Sequence, residues 1–239
     1  MEMKLSRRDL LKAAGTTGMI LAAGGSILSG SPGMASAQDR KPIELKPPAG
    51  GNAFMQLLAR RSSSREYSSE PLPMSVLAGL LWAAFGISRP DSGKRTAPSA
   101  SNRQEIDIYV AAANGLYLYD AKSNALKPIS ADDIRGLTGR QAFVKEAPIN
   151  LVYVSDYSRF DKGTEEDKLV YSAADTGFIS ENVYLYCASE GLATVVRAGI
   201  DKLALAKAMK LRPEQKIILA QSVGYPKKGP QGAVKGTAK

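Results

Sequence analysis

The chain has 239 residues, one cysteine, no histidine and a formal net charge of +9. The absence of histidine excludes Ser-His-Asp and Cys-His catalysis, histidine general bases and histidine-rich zinc sites, while a single cysteine excludes internal disulfides and Cys-cluster metal centres. Much of the positive charge lies near the two ends, so the body is only mildly basic and gives no argument for nucleic acid.

Residues 1–37 read as a cleavable export leader. Ser6-Arg7-Arg8-Asp9-Leu10-Leu11-Lys12 opens it, an apolar run from Ala13 to Leu28 comes next, and Ala35-Ser36-Ala37 offers the small residues of a cleavage site. The S-R-R-x-L-L-K frame resembles twin-arginine signals, which implies the twin-arginine translocase as a partner during export and a periplasmic or otherwise exported location. A membrane span wants about 20 uninterrupted apolar residues. This run is shorter and broken by Gly15, Gly18, Gly24 and Gly25, so no stable membrane insertion is expected. Residues 38–51, rich in proline and charge, read as a linker or arm. The chain from Asn52 onward is long enough for one domain with a real core.

Asn52 is a possible cap for a short helix to Arg60, with Phe54, Leu57 and Leu58 on one face. Ser75 can cap a second helix, Val76 to Phe85, with Leu77, Leu80, Leu81 and Ala84 inward and Gly86 at its end. Residues 87–102 read as a loop. Strands are predicted at Ile106–Ala111, at Leu116–Tyr119 just after Asn114-Gly115, and at Ala125–Ile129 as the hairpin partner. Ala131–Leu137 reads as a short helix and Asn150–Val154 as a buried strand. Glu165–Glu190 is the longest helix, closed by Gly191 and succeeded by a strand over Leu192–Val196. A helix over Lys202–Met209 and an apolar strand over Ile217–Val223 finish the domain. The mixture is α+β, in two or three layers.

Four segments could carry chemistry. Arg61-Ser62-Ser63-Ser64-Arg65 places two guanidiniums around three hydroxyls, a compact anion site by composition; alone it is equally a solvated basic turn. Pro98-Ser99-Ala100-Ser101-Asn102-Arg103-Gln104 is a small-residue loop that lets a flat ring approach the backbone, with Asn102 and Gln104 offering amides; alone it is ordinary turn chemistry. Gly191-Leu192-Ala193-Thr194 leads to Arg197-Ala198-Gly199, and Gly199 can expose backbone amides to a ligand. Val223-Gly224-Tyr225-Pro226 runs into Lys227-Lys228, which also reads as the start of a flexible basic tail, residues 229–239.

In this order and spacing the segments resemble the FMN-dependent nitroreductase family, over Asn52 to about Lys228. The resemblance implies an α+β fold with a central, mostly antiparallel sheet flanked by helices and FMN at a homodimer interface. By that likeness Arg61, Ser62, Ser63 and Arg65 match the R-x-S-x-R-type element for the flavin phosphate and ring edge. Pro98, Ser99, Asn102 and Gln104 stand in the loop along the isoalloxazine, with Ala100, Ser101 and Arg103 flanking substrate space. Ala198 and Gly199 fall in the segment over the ring, and Gly224-Tyr225-Pro226 matches the turn ending the last strand. Two departures stand out: Lys227 or Lys228 replaces the usual basic clamp near the C-terminus, and Ala198 replaces an acid often found before the ring-covering glycine. The hairpin from Asn114 to Leu126 looks more like the branch containing azoline-oxidising dehydrogenases (SagB/ThcOx-like) of peptide-modifying clusters. The function implied is an exported oxidoreductase acting on a small molecule, with hydride passing through flavin N5; the alternative is a non-catalytic flavin-binding or interaction protein on the same scaffold. Phe178, Val183, Tyr184 and Leu185 are the expected dimer core.

Overall fold

The computed structural model describes Glu44 and residues 51–227. The leader, nearly all of the linker, Lys228 and the 229–239 tail lie outside the described residues.

Helix α1 spans Ala53–Arg60, and the Asn52 side chain accepts the Met55 N–H at 3.1 Å, as an N-cap should. Helix α2 runs Met74–Phe85, two residues earlier than Ser75 capping would give. Pro73 takes the boundary instead: its φ of −57° is already helical in value and its carbonyl accepts the Leu77 N–H. Ser75 therefore sits inside the helix. The expected loop after α2 contains a two-stranded hairpin, β1 (Ile87–Arg89) against β2 (Lys94–Arg95), turned by Gly93 at φ +63°.

Six strands form one wholly antiparallel sheet: β3 (Ile106–Ala112), β4 (Gly115–Asp120), β5 (Ala125–Ser130), β6 (Ile149–Asp156), β7 (Ala193–Arg197) and β8 (Gln215–Gly224), in spatial order β5-β4-β3-β6-β8-β7. The helix expected over Ala131–Leu137 is reduced to a single 3-10 turn, Arg135–Leu137. Local side chains compete for its backbone: Ser130 Oγ accepts the Asp132 N–H and Asp133 accepts the Arg135 N–H, so the first turn of an α-helix never closes. Helix α3 covers Glu165–Glu190 as expected. Thr164 and Asp167 form a reciprocal capping box at its start, and Gly191 at φ +68° ends it. Helix α4, Lys202–Ala208, is capped by Asp201.

Alternation along the strands buries both faces of the sheet. Ile106, Ile108 and Val110 of β3 pack with Leu77, Leu80 and Leu81 of α2 and Ile179, Val183 and Cys187 of α3. Tyr109 and Ala111 face the other way, against Ile134, Leu205 and Met209. Of the two layer schemes left open by the sequence, the structure takes three layers. Val183 and Tyr184, expected at a dimer core, are instead buried in the chain's own fold, because that stretch of α3 lies against the sheet. Phe178 remains 49% exposed. Among the described residues no helix is long and apolar enough to cross a membrane.

Candidate functional site

The segment Arg61–Arg65 leaves α1 and docks along β7, an edge strand of the sheet. The Ser64 N–H donates to the Thr194 carbonyl at 2.9 Å. Tyr184 supplies the second tie: its hydroxyl lies 2.9 Å from Ser63 Oγ and accepts the Val196 N–H at 3.0 Å. The Arg61 guanidinium lies over the same ring, 5.3 Å from its centroid, which fixes a cation at the mouth of the segment. Tyr67, buried, donates to the Ser64 carbonyl at 2.8 Å and bridges Pro226. Burial pushes its phenol well up, so it stays a neutral donor. Lys227 then joins through its N–H to the Glu66 carbonyl. The close approach of this turn depends on Gly224, where a Cβ would lie 2.4 Å from Pro148 Cδ.

Three sequence-predicted pieces thus share one edge: Arg61, Ser62, Ser63 and Arg65; the strand leading to Ala198 and Gly199; and Lys227. Ser62, Ser63, Arg65, Ala198 and Lys227 are exposed. Arg65 makes no ion pair among the described residues. A cavity of about 150 Å³ beside Ser62 and Ser64 is lined by Tyr184, Leu192 and Pro226. Cys187 also lines it, but burial pushes that thiol up to about 12, so it offers no thiolate. Gly199 is held by its carbonyl, which accepts the Arg140 N–H, and lies close to Gln141, whose amide a Cβ there would meet at 3.0 Å. Among the described residues no group of three or more His, Cys, Asp or Glu could hold a metal.

The loop holding Pro98, Ser99, Asn102 and Gln104 lies elsewhere on the chain. Its Ala100 N–H donates to Asp175 of α3, nine positions before Tyr184, or on the order of 13 Å at a helical rise of about 1.5 Å per residue. No described hydrogen bond or cavity joins it to Arg61–Arg65. Within the loop Gln104 is engaged by its own surroundings: its side-chain oxygen accepts from Arg95 at 2.7 Å and its nitrogen donates to Gly93 and Asn102. Pro98 and Asn102 are exposed. Ser101, Asn102 and Gln104 all have φ above +50°, a left-handed conformation that costs non-glycine residues free energy unless neighbours impose it.

Tyr184, Tyr67 and Asp175 were not legible as site residues. Tyr184 sits on an apolar face that reads as core, and only the fold reveals that its hydroxyl bridges two segments. Replacing Tyr184 by Phe is expected to leave the Val196 N–H unpaired and release Ser63, costing about 1–3 kcal/mol. A urea melt checks this; an unchanged midpoint would mean that water replaces the hydroxyl.

A profile of the nitroreductase family matches residues 58–225. A nitroreductase-type protein of Methanocaldococcus jannaschii is 30% identical over 149 residues, spanning 58% of this chain and 75% of that protein. A nitroreductase-type crystal structure from Ralstonia eutropha superposes with a TM-score of 0.71 at 40% identity, covering 78% of this chain and 89% of that one. A further structure, from Desulfovibrio desulfuricans in complex with FMN, shares the fold at a TM-score of 0.55 and 21% identity, covering 75% of this chain and 89% of that one. With the profile spanning the docked arginine segment, the long helix and the final strand alike, this chain belongs to the nitroreductase family.

Proposed function

We propose that the protein is an exported FMN-dependent oxidoreductase whose substrate is a small molecule. The observation that carries this reading is the shared edge at β7, where Ser64–Thr194 and Ser63–Tyr184–Val196 tie Arg61–Arg65 to the strand that leads into Ala198-Gly199, and Glu66–Lys227 adds the end of the last strand. The donor set suits a phosphorylated ring: one guanidinium, exposed serine hydroxyls and a lysine for the phosphate, a second guanidinium for the ring edge, and a glycine-containing strand end for the flat face.

When bound, FMN supplies hydride acceptance and donation at N5, so no histidine or thiolate is required of the protein. Arg61, Ser62 and Ser63 would hold the phosphate, with Lys227 or Lys228 proposed as a further cation. Arg65 is the cation available for the N1 and C2-carbonyl edge, where reduction leaves negative charge that a fixed positive group stabilises. In one chain the loop from Pro98 to Gln104 is not part of this edge. A second copy is proposed to bring its own loop to the ring. That arrangement is supported by apolar side chains left exposed on α1 (Phe54, Met55, Leu58) and α3 (Leu169, Val170, Tyr171, Phe178). The same loop would bring Ala100 and Ser101 to flank the substrate space, whereas the Arg103 guanidinium is stacked on Phe160 and Tyr171 of its own chain. The hairpin β4–β5 favours the azoline-dehydrogenase branch within the family.

Export sets a constraint on the reductant. NAD(P)H is not expected outside the cytoplasm, so electrons exchange with a carrier of another class, a quinone, a redox protein or oxygen. Twin-arginine transport accommodates a cofactor acquired before crossing. The purified mature protein is expected to show flavin absorption bands that bleach under dithionite. A colourless protein that refuses added FMN would overturn the reading in favour of a non-catalytic interaction module.

A further inference from the structure

The strained loop before β3 has an unusual anchor. Glu105, the residue entering β3, is 0% exposed, and neither carboxyl oxygen has a well-formed hydrogen bond, its own backbone N–H being the nearest donor. Asp175 of α3, 3% exposed, lies against it and accepts the Ala100 N–H at 2.9 Å. Arg103 is the facing cation: its guanidinium stacks on Phe160 and Tyr171 at 5.0 and 5.6 Å and donates through one terminal nitrogen to the Ala100 carbonyl. Its buried Nε has no hydrogen-bond partner and makes none with Glu105. Two carboxylates in dry contact cannot both stay charged without a large electrostatic cost. Three residues of the adjoining loop (Ser101, Asn102, Gln104) are held at positive φ, which requires that something fix them.

We propose that Glu105 and Asp175 form a buried acid pair sharing one proton, and that this pair is the positioning device for the Ala100–Gln104 loop. Glu105 holds the proton and donates it to Asp175. The other Asp175 oxygen is thereby kept aimed at the Ala100 amide, and the left-handed turn is held in consequence. The importance of that turn for flavin rests on the proposed FMN function; the pair itself does not.

Burial above all, helped by the charge and hydrogen bond of Asp175, pushes the Glu105 carboxyl from an ordinary 4.5 up to about 7, with its own backbone N–H and then Arg103 opposing. A carboxyl whose folded value is raised favours the closed form below the ordinary value, and that advantage is lost as pH rises toward the raised one. The sensitive window is therefore about pH 4.5 to 7, with a plateau above it. Hydrogen exchange of segment 98–105 in the full mature chain, corrected for intrinsic rates, reads the loop directly. Protection is expected to fall by up to about tenfold per pH unit across that window, the limit for one proton, and then level off.

Glu105→Gln should hold the loop at every pH, because an amide N–H donates to Asp175 permanently. Asp175→Asn should do the same from the other side, and it serves if the first variant folds poorly. Wild-type and Glu105→Gln profiles that superimpose would overturn the proposal, as would a flat wild-type profile. Exchange that tracks Glu105 while FMN retention does not would support the pair and remove the loop from the flavin site. A protein that takes no FMN at all but shows the predicted exchange profile would sink the oxidoreductase reading alone.

Discussion

Replacing Arg197 by alanine is expected to lower the unfolding free energy by about 3–5 kcal/mol, one of the largest effects available in this chain. Arg197 ends β7 and is only 7% exposed. Its guanidinium donates to the Thr138 carbonyl, to Thr138 Oγ1 at 3.1 Å, to Asn150 Oδ1 at 2.6 Å and to Ser222 Oγ at 3.1 Å. No carboxylate pairs with it among the described residues. A buried cation in a cage of neutral dipoles is costly to desolvate, and burial pulls its pKa down to about 10, which still leaves it charged at neutral pH. Truncation would leave the Thr138 carbonyl short of a donor and Asn150 Oδ1 with Ser222 alone. Each orphaned acceptor costs about 1–3 kcal/mol, and the lost stem adds packing. In a domain of this size that is roughly 10 °C in Tm. Arg197→Met separates the two terms, because it keeps most of the stem and removes the charge. If the methionine variant matched the wild type in a denaturant melt, the desolvation cost would equal everything the four hydrogen bonds return.

The regular elements were legible because local chemistry and tertiary packing agree there. Asn52 caps α1 and Gly191 closes α3, while the hairpin signalled by Asn114-Gly115 forms one residue out of frame, with Ala113-Asn114 as the turn and Gly115 opening β4. The two helix signals are short-range and the fold uses them without alteration; the hairpin is used with its turn moved by one residue. The failures have equally local causes. Ser75 looks like a cap, yet Pro73 sets the boundary. Residues 131–137 have helical composition, yet Ser130 and Asp133 take the amide hydrogens that a helix would need. The β1–β2 hairpin is too short to leave a periodic signal.

The site divides along the same line. Arg61, Ser63, Arg65, Gly199 and Lys227 are named through the family resemblance; the structure docks the Arg61–Arg65 segment and the Lys227 backbone beside β7, with Gly199 beyond that strand's end. Tyr184, Glu105, Asp175 and Arg197 are not, since a buried polar side chain is recognised by what surrounds it. Glu105 in particular reads in sequence as a charge at the start of a strand. Only the contact with Asp175, 70 positions away, gives it a role.

Removing either clamp arginine is expected to weaken FMN binding about 10- to 100-fold, the equivalent of one charge-assisted hydrogen bond to phosphate or ring edge at about 1.5–3 kcal/mol. The two variants should differ in kind. Arg65 is exposed and supports nothing else, so Arg65→Ala should change flavin affinity and leave the denaturant midpoint in place. Arg61 also covers the Tyr184 ring, so Arg61→Ala should lose roughly another 0.5–1 kcal/mol of stability along with the affinity. Arg61→Lys keeps the charge but not the fork-shaped donor pair, and should recover only part of the binding. Raising the salt concentration should narrow all these differences if the interaction is with a phosphate dianion. Fluorescence titration of FMN into each variant reads the affinities. Full affinity in Arg61→Ala would place the phosphate away from the β7 edge, and with it the whole site.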